Sequence, residues 1–529
     1  MRDGWRRILS VAAAEHATFT RAMADPLAAQ MRQLRRILSG NRDSAFGRRY
    51  AFATTTDVDA FRSRVPVHGY DDVADEIRAM AGGAPGRLCA REVLLYEETT
   101  GTSGRAKLIP YTEESLCAFR RALYPWLYDL AGAHPGIAEG RGYWALSPIS
   151  RSARTTDGGI PVGMASDAGY FGDDLAAAFE ELSVVPPALA SVADIEQWRY
   201  LTLRCLVDAE DLSLVSVWSP TFLSPLMEAL ERWGSALVDD IERGTVGVSL
   251  PPGLEDLACR FRPDPGRARR VADALSRRPV ATAAIWPALD TISCWADAGA
   301  RPFVPDLRAA FPHAHLQGKG LVATETAVTI PLAQFPHSVL AVNSAFFEFL
   351  DGSARSWLCH ELREGERYRV VVTTPGGLYR YDLGDRVLVR GWAEGLPMLE
   401  FVGRGGLVSD LCGEKLSEEF VLRALPGTYG FAMLAPSLAA RPHYVLFLDA
   451  ARTDDALAAG LASRLDESLH DNPQYGYARH LGQLGQVRAR RVARPMEEYT
   501  SFAVAQGHRL GDIKPPALRP ETDWEARFA

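Results

Sequence analysis

The chain lacks most of the features that would assign it at a glance. It has no lysine/arginine block; a net charge of −8 is spread over 529 residues with both signs scattered. Nothing in that balance favours nucleic acid as a partner. No apolar run approaches the length of a membrane span, so a membrane is not expected as a partner either. The N-terminal stretch MRDGWRRILSVAAAEHATF has early arginines, but Glu15 and His16 cut its apolar patch short. An amphipathic first helix, with Trp5, Ile8, Leu9 and Ala12 on one side, fits better than a signal peptide. There is no C-x-x-C pair: seven cysteines, at 89, 117, 205, 259, 294, 359 and 412, are dispersed and odd in number. That pattern argues against a disulfide framework or a zinc site and reads as reduced thiols in a cytoplasmic protein. Internal repeats and low-complexity segments are missing as well. What remains is an ordinary globular composition, 47% hydrophobic and 23% charged, long enough for two to four domains with ample core.

The most informative stretch that is present is YEETTGTSGRAK, Tyr96 to Lys107. Thr99, Thr100, Gly101, Thr102, Ser103 and Lys107 combine small hydroxyls, a glycine and a cation. Glycines permit close backbone approach to a ligand, successive backbone N–H groups form an anion nest, and hydroxyls and lysine add donors and charge. The stretch reads as a phosphate grip; the alternative is a polar turn without a ligand. It is not a Walker loop, because leucine follows Lys107. Before it, Val93 to Tyr96 reads as a strand end. After it, Leu108 to Tyr111 reads as extended, since Pro110 disfavours helix. A helix over 112–132 should follow, with Thr112 as N-cap, Glu113 and Glu114 in its first turn, and Leu123, Trp126, Leu127 and Leu130 along its apolar side.

Residues 1 to about 90 read as mainly helical. The stripe Leu226, Leu230, Trp233, Leu237, Ile241 predicts a core-facing helix over 226–242, and residues 340–402 switch to strand character with a turn at 375–377. From Gly403 the texture changes. A strand at 443–449, a helix over 454–470 with Leu457, Leu461, Leu465 and Leu469 inward, and a strand at 486–493 predict a small C-terminal domain. The expected division is 1–402, a hinge at 403–410, and 411–529.

Four further segments carry chemistry: Ala323-Thr324-Glu325 after a glycine-rich strand; GLYRYDLGDRV, 377–387, with Tyr-x-x-Gly-Asp ending at Asp385; FVGRGGLVSDLCGEKLSEEFV, 401–421, with Arg404 and Lys415; and QGHRLGDIKPPAL, 506–518, with Lys514. Taken singly, each has a bland reading: a surface carboxylate, a turn aspartate, a solvated lysine. In order along one chain they resemble the motifs of the adenylate-forming superfamily of acyl-CoA synthetases, peptide-synthetase adenylation domains and luciferases. The GLYRYDLGDRV and EKLSE segments and the Gly-Asp-x-Lys-x-Pro ending resemble one branch, the acyl-acid amido synthetases known from the auxin-responsive Gretchen Hagen three proteins of plants.

That resemblance covers nearly the whole chain. It implies an α/β (α+β) fold, with a large N-terminal adenylation domain of helix-flanked sheets and a small mobile C-terminal domain. It implies an ATP- and Mg²⁺-dependent ligase that makes acyl-AMP from a carboxylic acid and passes the acyl group to an amine, usually an amino acid. Glu325 would be the metal ligand and Thr324 a nucleotide or phosphate contact. Asp385 would accept from the ribose hydroxyls, Arg404 would reach the ribose or phosphate, and Lys415 would contact nucleotide or pyrophosphate. Lys514 would be carried in and out of the site about the hinge. The sequence departs from the pattern at Leu321, where many members have tyrosine beside adenine. Family position places the helix 119–127 with Arg120 and Leu123, the segment 147–160 with Arg151 and Arg154, and residues near Val217, Trp218, Trp286 and Gly320 around the acid, and tryptophan and leucine there suggest an apolar or aromatic one. Two other classes stay open: a ligase with a thiol acceptor, and a nucleotide-binding homologue without catalysis. The joint presence of Thr102, Glu325, Asp385 and Lys514 argues against the last.

Overall fold

The N-terminal helices follow from their apolar spacing and caps. Asp3–Ala24 buries Trp5, Ile8 and Ala12 on one face, as the sequence predicts. Pro26–Asn41 starts with proline in its first turn and with Asp25 accepting from the Ala28 amide. The computed structural model describes all residues except 101–105, 145–153, 165 and 166, 219, 298 and 299, 301–303, 405–407, 426–430, 506–516 and 529. Among the described residues no helix is long and apolar enough to cross a membrane. The chain divides into two units, Met1–Glu98 with Leu108–Gly403, and Thr99–Lys107 with Arg404–Ala529.

The first unit holds two large sheets. One is a parallel four-stranded sheet of Arg141–Trp144, Leu212–Ser216, Thr291–Cys294 and His315–Gly318, side by side in that order. Its central strands, LSLVS and TISC, are buried at every position. Strands covered on both faces lose the alternation of a half-exposed strand. The register places Trp144, Ser216, Ser293 and Gln317 in one row near the carboxyl ends of the strands. The helix Ser224–Arg243 ends at Gly244 in the left-handed region and carries the predicted stripe, although Trp233 is only half-buried, against Tyr200 and under Arg232.

The other large sheet has seven strands and is antiparallel at every strand pair whose register is resolved. Its long strand Tyr381–Ala393 alternates buried and more exposed side chains. Against Arg367–Thr373 the register slips, so that Arg369 faces Arg386 while Val371 faces Asp382. The resulting bulge contains Gly384, at φ +74°, and Asp385. Bulges re-aim a side chain locally, which is what a strand-borne ligand contact needs.

The second unit has a three-stranded sheet, Ala432–Ser437 and Arg488–Val492 flanking His443–Asp449. The helix Asp455–Leu469 packs Leu461, Leu465 and Leu469 inward. The expected inward position of Leu457 is corrected: it is 37% exposed, since it lies in the first turn beside its cap, where its amide is held by Asp454.

Candidate functional site

In open α/β sheets ligands bind beyond the carboxyl ends of the strands, and that is where the first unit has its apolar cavity. Ser216 ends one strand, Val217 and Trp218 follow it, and Lys319 follows another; Trp144 ends the first strand. Leu123 and Trp126 reach it from the helix Glu113–Ala133, Tyr170 and Phe171 from the turn Asp167–Phe171, and Val322, Ile330 and Pro331 close it. The helix that forms its roof begins as the sequence predicts: Thr112 caps it, accepting from the Ser115 amide at 3.3 Å, while Ser115 Oγ accepts from the Thr112 amide. Pro125 sits inside that helix without ending it.

Polar groups at the strand ends fix the cavity floor. Gln317 Oε1 accepts from Trp126 Nε1 at 2.8 Å and from Ser293 Oγ at 3.2 Å. Lys319 is buried, and its Nζ donates to Ser216 Oγ at 2.7 Å. The same ammonium lies 5.0 Å from the centre of the Trp126 ring and 5.5 Å from that of Trp218. Gly320 turns the chain away at φ +74°; a Cβ there would come within 2.6 Å of Thr329 Oγ1 and 2.7 Å of Ser338 Oγ, so the position needs glycine.

Next to the cavity, Val322 and Ala327 bridge and close a tight turn whose tip is Ala323-Thr324-Glu325-Thr326, with the Ala323 amide bonded to Thr326 O at 3.0 Å. The Thr324 carbonyl accepts from the Tyr111 hydroxyl. Tyr111 is stacked on Phe119 and buried, and burial first, then Tyr170, Glu97 and Glu325, pushes its phenol well above the usual range. It therefore stays a neutral donor that pins the turn. Glu325 remains partly open, and Glu97, on the strand Leu95–Thr100, shares this neighbourhood through Tyr111. Among the described residues no group of three or more histidine, cysteine or carboxylate side chains gathers to hold a metal. Magnesium needs no such cage: one or two carboxylates plus substrate phosphates suffice, and Glu325 fits that role.

Asp385 is buried at 2% exposure on the bulge. The segment before it is clamped at several points. Arg380, in the left-handed region at φ +44°, forms a buried two-pronged pair with Glu348, at 2.9 and 3.2 Å. His68 bonds the backbone of Arg380 and Asp382 on either side. Tyr379 donates to Leu88 O at 2.7 Å.

The acid-site expectations divide. Leu123 and Trp218 line the cavity. Arg120 does not: its guanidinium is engaged by Tyr170 O at 3.2 Å and Glu113 at 2.8 Å, so it braces the cavity-lining Tyr170. Gly320 shapes the turn behind Lys319. Trp286 is corrected outright: it precedes the strand Thr291–Cys294, at the opposite end from the cavity, and its indole is buried and donates to Leu206 O at 2.8 Å. Arg151 lies outside the described residues.

Of the expected nucleotide contacts, Thr99 and Thr100 close the strand Leu95–Thr100 and Lys107 lies on the strand Ala106–Tyr111. Gly101, Thr102, Ser103 and Lys514 fall outside the described residues. Arg404 ends the strand Leu396–Arg404. Lys415 follows the turn Asp410–Glu414, itself at φ +47°. In that turn Glu414 accepts from the amides of Leu411 and Cys412 and from Tyr444, and Asp410 accepts from Gly413. Tyr111, Trp144 and Tyr170 carried no site role in the sequence, whereas Trp126 lies within the 119–127 helix expected beside the acid, and Ser216 and Lys319 adjoin the expected positions Val217 and Gly320.

The fold is shared with solved structures of two ligating enzymes, an acyl acid amido synthetase and a CoA ligase. It superposes on the AtGH3.15 acyl acid amido synthetase in complex with 2,4-DB with a TM-score of 0.69 at 21% identity, covering 98% of this chain and 95% of that one. The 2-hydroxyisobutyryl-CoA ligase in its thioesterification state gives a TM-score of 0.54 at 14% identity, over 96% and 93%. Residues 15–316 match the GH3 family N-terminal domain, 338–404 its central domain and 424–522 its C-terminal domain. The chain belongs to the GH3 family. It is 25% identical over 543 residues to the indole-3-acetic acid-amido synthetase GH3.4 of Arabidopsis thaliana, covering 93% of this chain and 89% of that protein. It is 26% identical over 538 residues to the indole-3-acetic acid-amido synthetase GH3.8 of Oryza sativa subsp. indica, over 92% and 87%.

Proposed function

We propose that the chain uses ATP to activate an apolar, ring-bearing carboxylic acid as acyl-AMP and then passes the acyl group to the amine of an amino acid. The observation that carries this reading is the tryptophan-lined cavity at the strand ends, with the pinned Thr324–Glu325 turn directly beside it. Curated relatives named as acid-amido synthetases support the amide product.

In the first step a carboxylate oxygen attacks the α-phosphorus and pyrophosphate leaves. In the second an amine nitrogen attacks the acyl carbon, AMP leaves with that oxygen, and the nitrogen loses a proton. The first step brings two anions together, so positioning and charge neutralisation dominate. Backbone and hydroxyl donors at 99–103 and Lys107 would hold phosphate, Thr324 would orient it, and Asp385 would accept from the ribose. Glu325 would hold Mg²⁺, which when bound supplies counter-charge to the phosphates. The resemblance assigns Arg404 and Lys415 to the nucleotide and Lys514 to the pyrophosphate charge, with 403–410 as the hinge that brings Lys514 into play.

The test is pyrophosphate release over a panel of carboxylic acids, followed by a panel of amino acids and thiols as acyl acceptors. Glu325→Ala should lose Mg²⁺-dependent release while staying folded. Lys514→Ala should slow adenylation by ~10²–10³-fold, the scale for one oriented donor, and spare amide formation from supplied acyl-AMP. Release of AMP by thiols and not by amino acids would replace this reading with that of a thioester-forming ligase.

A further inference from the structure

A lysine is an expensive lining for a tryptophan cavity. Removing an ammonium from water costs far more than an apolar side chain of the same length would. Yet among the described residues lining the cavity, Lys319 alone carries charge. Its position is built rather than incidental. Gly320 cannot carry a side chain without striking Thr329 and Ser338, and the Lys319 amide is held by Cys294 O at 2.9 Å. From the end of the outermost strand, His315–Gly318, the side chain spans the end of the neighbouring strand to reach Ser216 Oγ at 2.7 Å. There the ammonium lies within about 6 Å of two indole faces, the range over which a ring quadrupole attracts a cation. An ammonium carries three donors and can serve more than one acceptor at once.

The reacting carboxylate is a poor match for this cation. Its charge disappears as acyl-AMP forms, so a strong pair with Lys319 would stabilise the free acid more than the transition state and slow the chemistry. An oxygen elsewhere on the acid keeps its charge and geometry through both half-reactions, and a bond to it costs the reaction nothing.

We propose that Lys319 is a specificity-determining residue: it selects acids that carry a second acceptor oxygen, hydroxyl or carboxylate, on an apolar ring-sized body, and bonds that oxygen between Trp126 and Trp218. This rests on the reading of the cavity as the acid site, and the test separates the two. The probes are 3-phenylpropanoate and its ring-hydroxy and ring-carboxy derivatives, at the meta and para positions. They are assayed with wild type, Lys319→Met and Lys319→Arg in two ways: acid-dependent pyrophosphate release, and quenching of tryptophan fluorescence on binding, which needs no turnover.

Wild type should favour at least one oxygen-bearing probe over the parent by about 10- to 100-fold, the scale of a charge-assisted hydrogen bond. Lys319→Met should collapse that ratio to within about threefold, and Lys319→Arg should retain part of it. Preference for the carboxy probes alone would mean the oxygen must be anionic, and preference for both kinds that an acceptor suffices; each supports the proposal. An equal loss for parent and derivatives in Lys319→Met would overturn it, pointing to the reacting carboxylate or to the fold. So would the absence of any preference in wild type. If no acid releases pyrophosphate, the function reading fails, and the fluorescence ratios still decide the role of Lys319.

Discussion

Two glutamates sit in the two units at almost the same burial, Glu348 at 1% exposure and Glu414 at 0%, and their surroundings differ in kind. Glu348 is met by two cations, Arg62 at 2.8 Å and both prongs of Arg380, with the Ser356 hydroxyl donating at 2.6 Å as well. Glu414 is met by neutral donors, the amides of Leu411 and Cys412 at 2.7 and 2.6 Å and the Tyr444 hydroxyl at 2.5 Å. Each holds a turn from which a proposed nucleotide contact emerges, Asp385 in one case and Lys415 in the other. The difference teaches that a buried carboxylate can be anchored with counter-charge or with dipoles. Burial, then Asp410, raises the Glu414 carboxyl to about 7 against the pull of its hydrogen bonds.

The largest expected effect comes from breaking the charged anchor. Glu348→Gln leaves Arg62 and Arg380 facing a neutral amide, and should cost roughly 3–5 kcal/mol in denaturant unfolding. A further Arg380→Met change should recover part of that loss, because the stranded charge goes with it. Purely additive losses would show that the pair is not the anchor.

The second effect lies downstream of that anchor. Asp385→Asn should weaken ATP by about 10- to 100-fold, the scale of a hydrogen bond to a charged group. The same variant should discriminate 2′-deoxy-ATP less than wild type does. If wild type and variant lose equally on deoxygenation, Asp385 does not read that hydroxyl.

The smallest effect is the pH response of the neutral anchor. The folded state holds the Glu414 proton to about pH 7, whereas an unfolded glutamate loses it near 4.3. The native state therefore binds more protons in that window. Its stability should fall as pH rises from about 5 to about 7, by on the order of 1–2 kcal/mol. Glu414→Gln should flatten this part of the thermal-unfolding profile relative to wild type. An unchanged slope would place the titration elsewhere.

What could be read from the sequence was what is local. Thr112 with its two following glutamates announced the helix Glu113–Ala133, and the stripe from Leu226 to Ile241 announced Ser224–Arg243, because cap and period sit within a few turns. Asp385 was visible because the Tyr-x-x-Gly-Asp motif that marks it occupies five successive residues, Tyr381 to Asp385. The parallel sheet was not: LSLVS and TISC are buried throughout and carry no alternation, and LSLVS lies more than 70 residues from each of its two partner strands. For the same reason the contacts that close the cavity could not be read in advance, although Leu123 and Trp218 were expected there. Lys319 meets Ser216 across 103 positions, and Trp126 meets Gln317 across 191. Trp126 was legible only as part of the 119–127 helix expected beside the acid, not as the donor that reaches Gln317. Trp286, a tryptophan at a plausible family position, proved to face the wrong end of the sheet.

Acyl-AMP is the intermediate on which the proposed activity depends, and one isotope experiment reaches it directly. With a substrate acid labelled with ¹⁸O in its carboxylate, complete turnover with ATP and an amino acid should yield AMP carrying one labelled oxygen, unlabelled pyrophosphate and an amide retaining the other. Label in inorganic phosphate, with ADP as the nucleotide product, would mean that the acid is activated at the γ-phosphorus and would contradict the assignment.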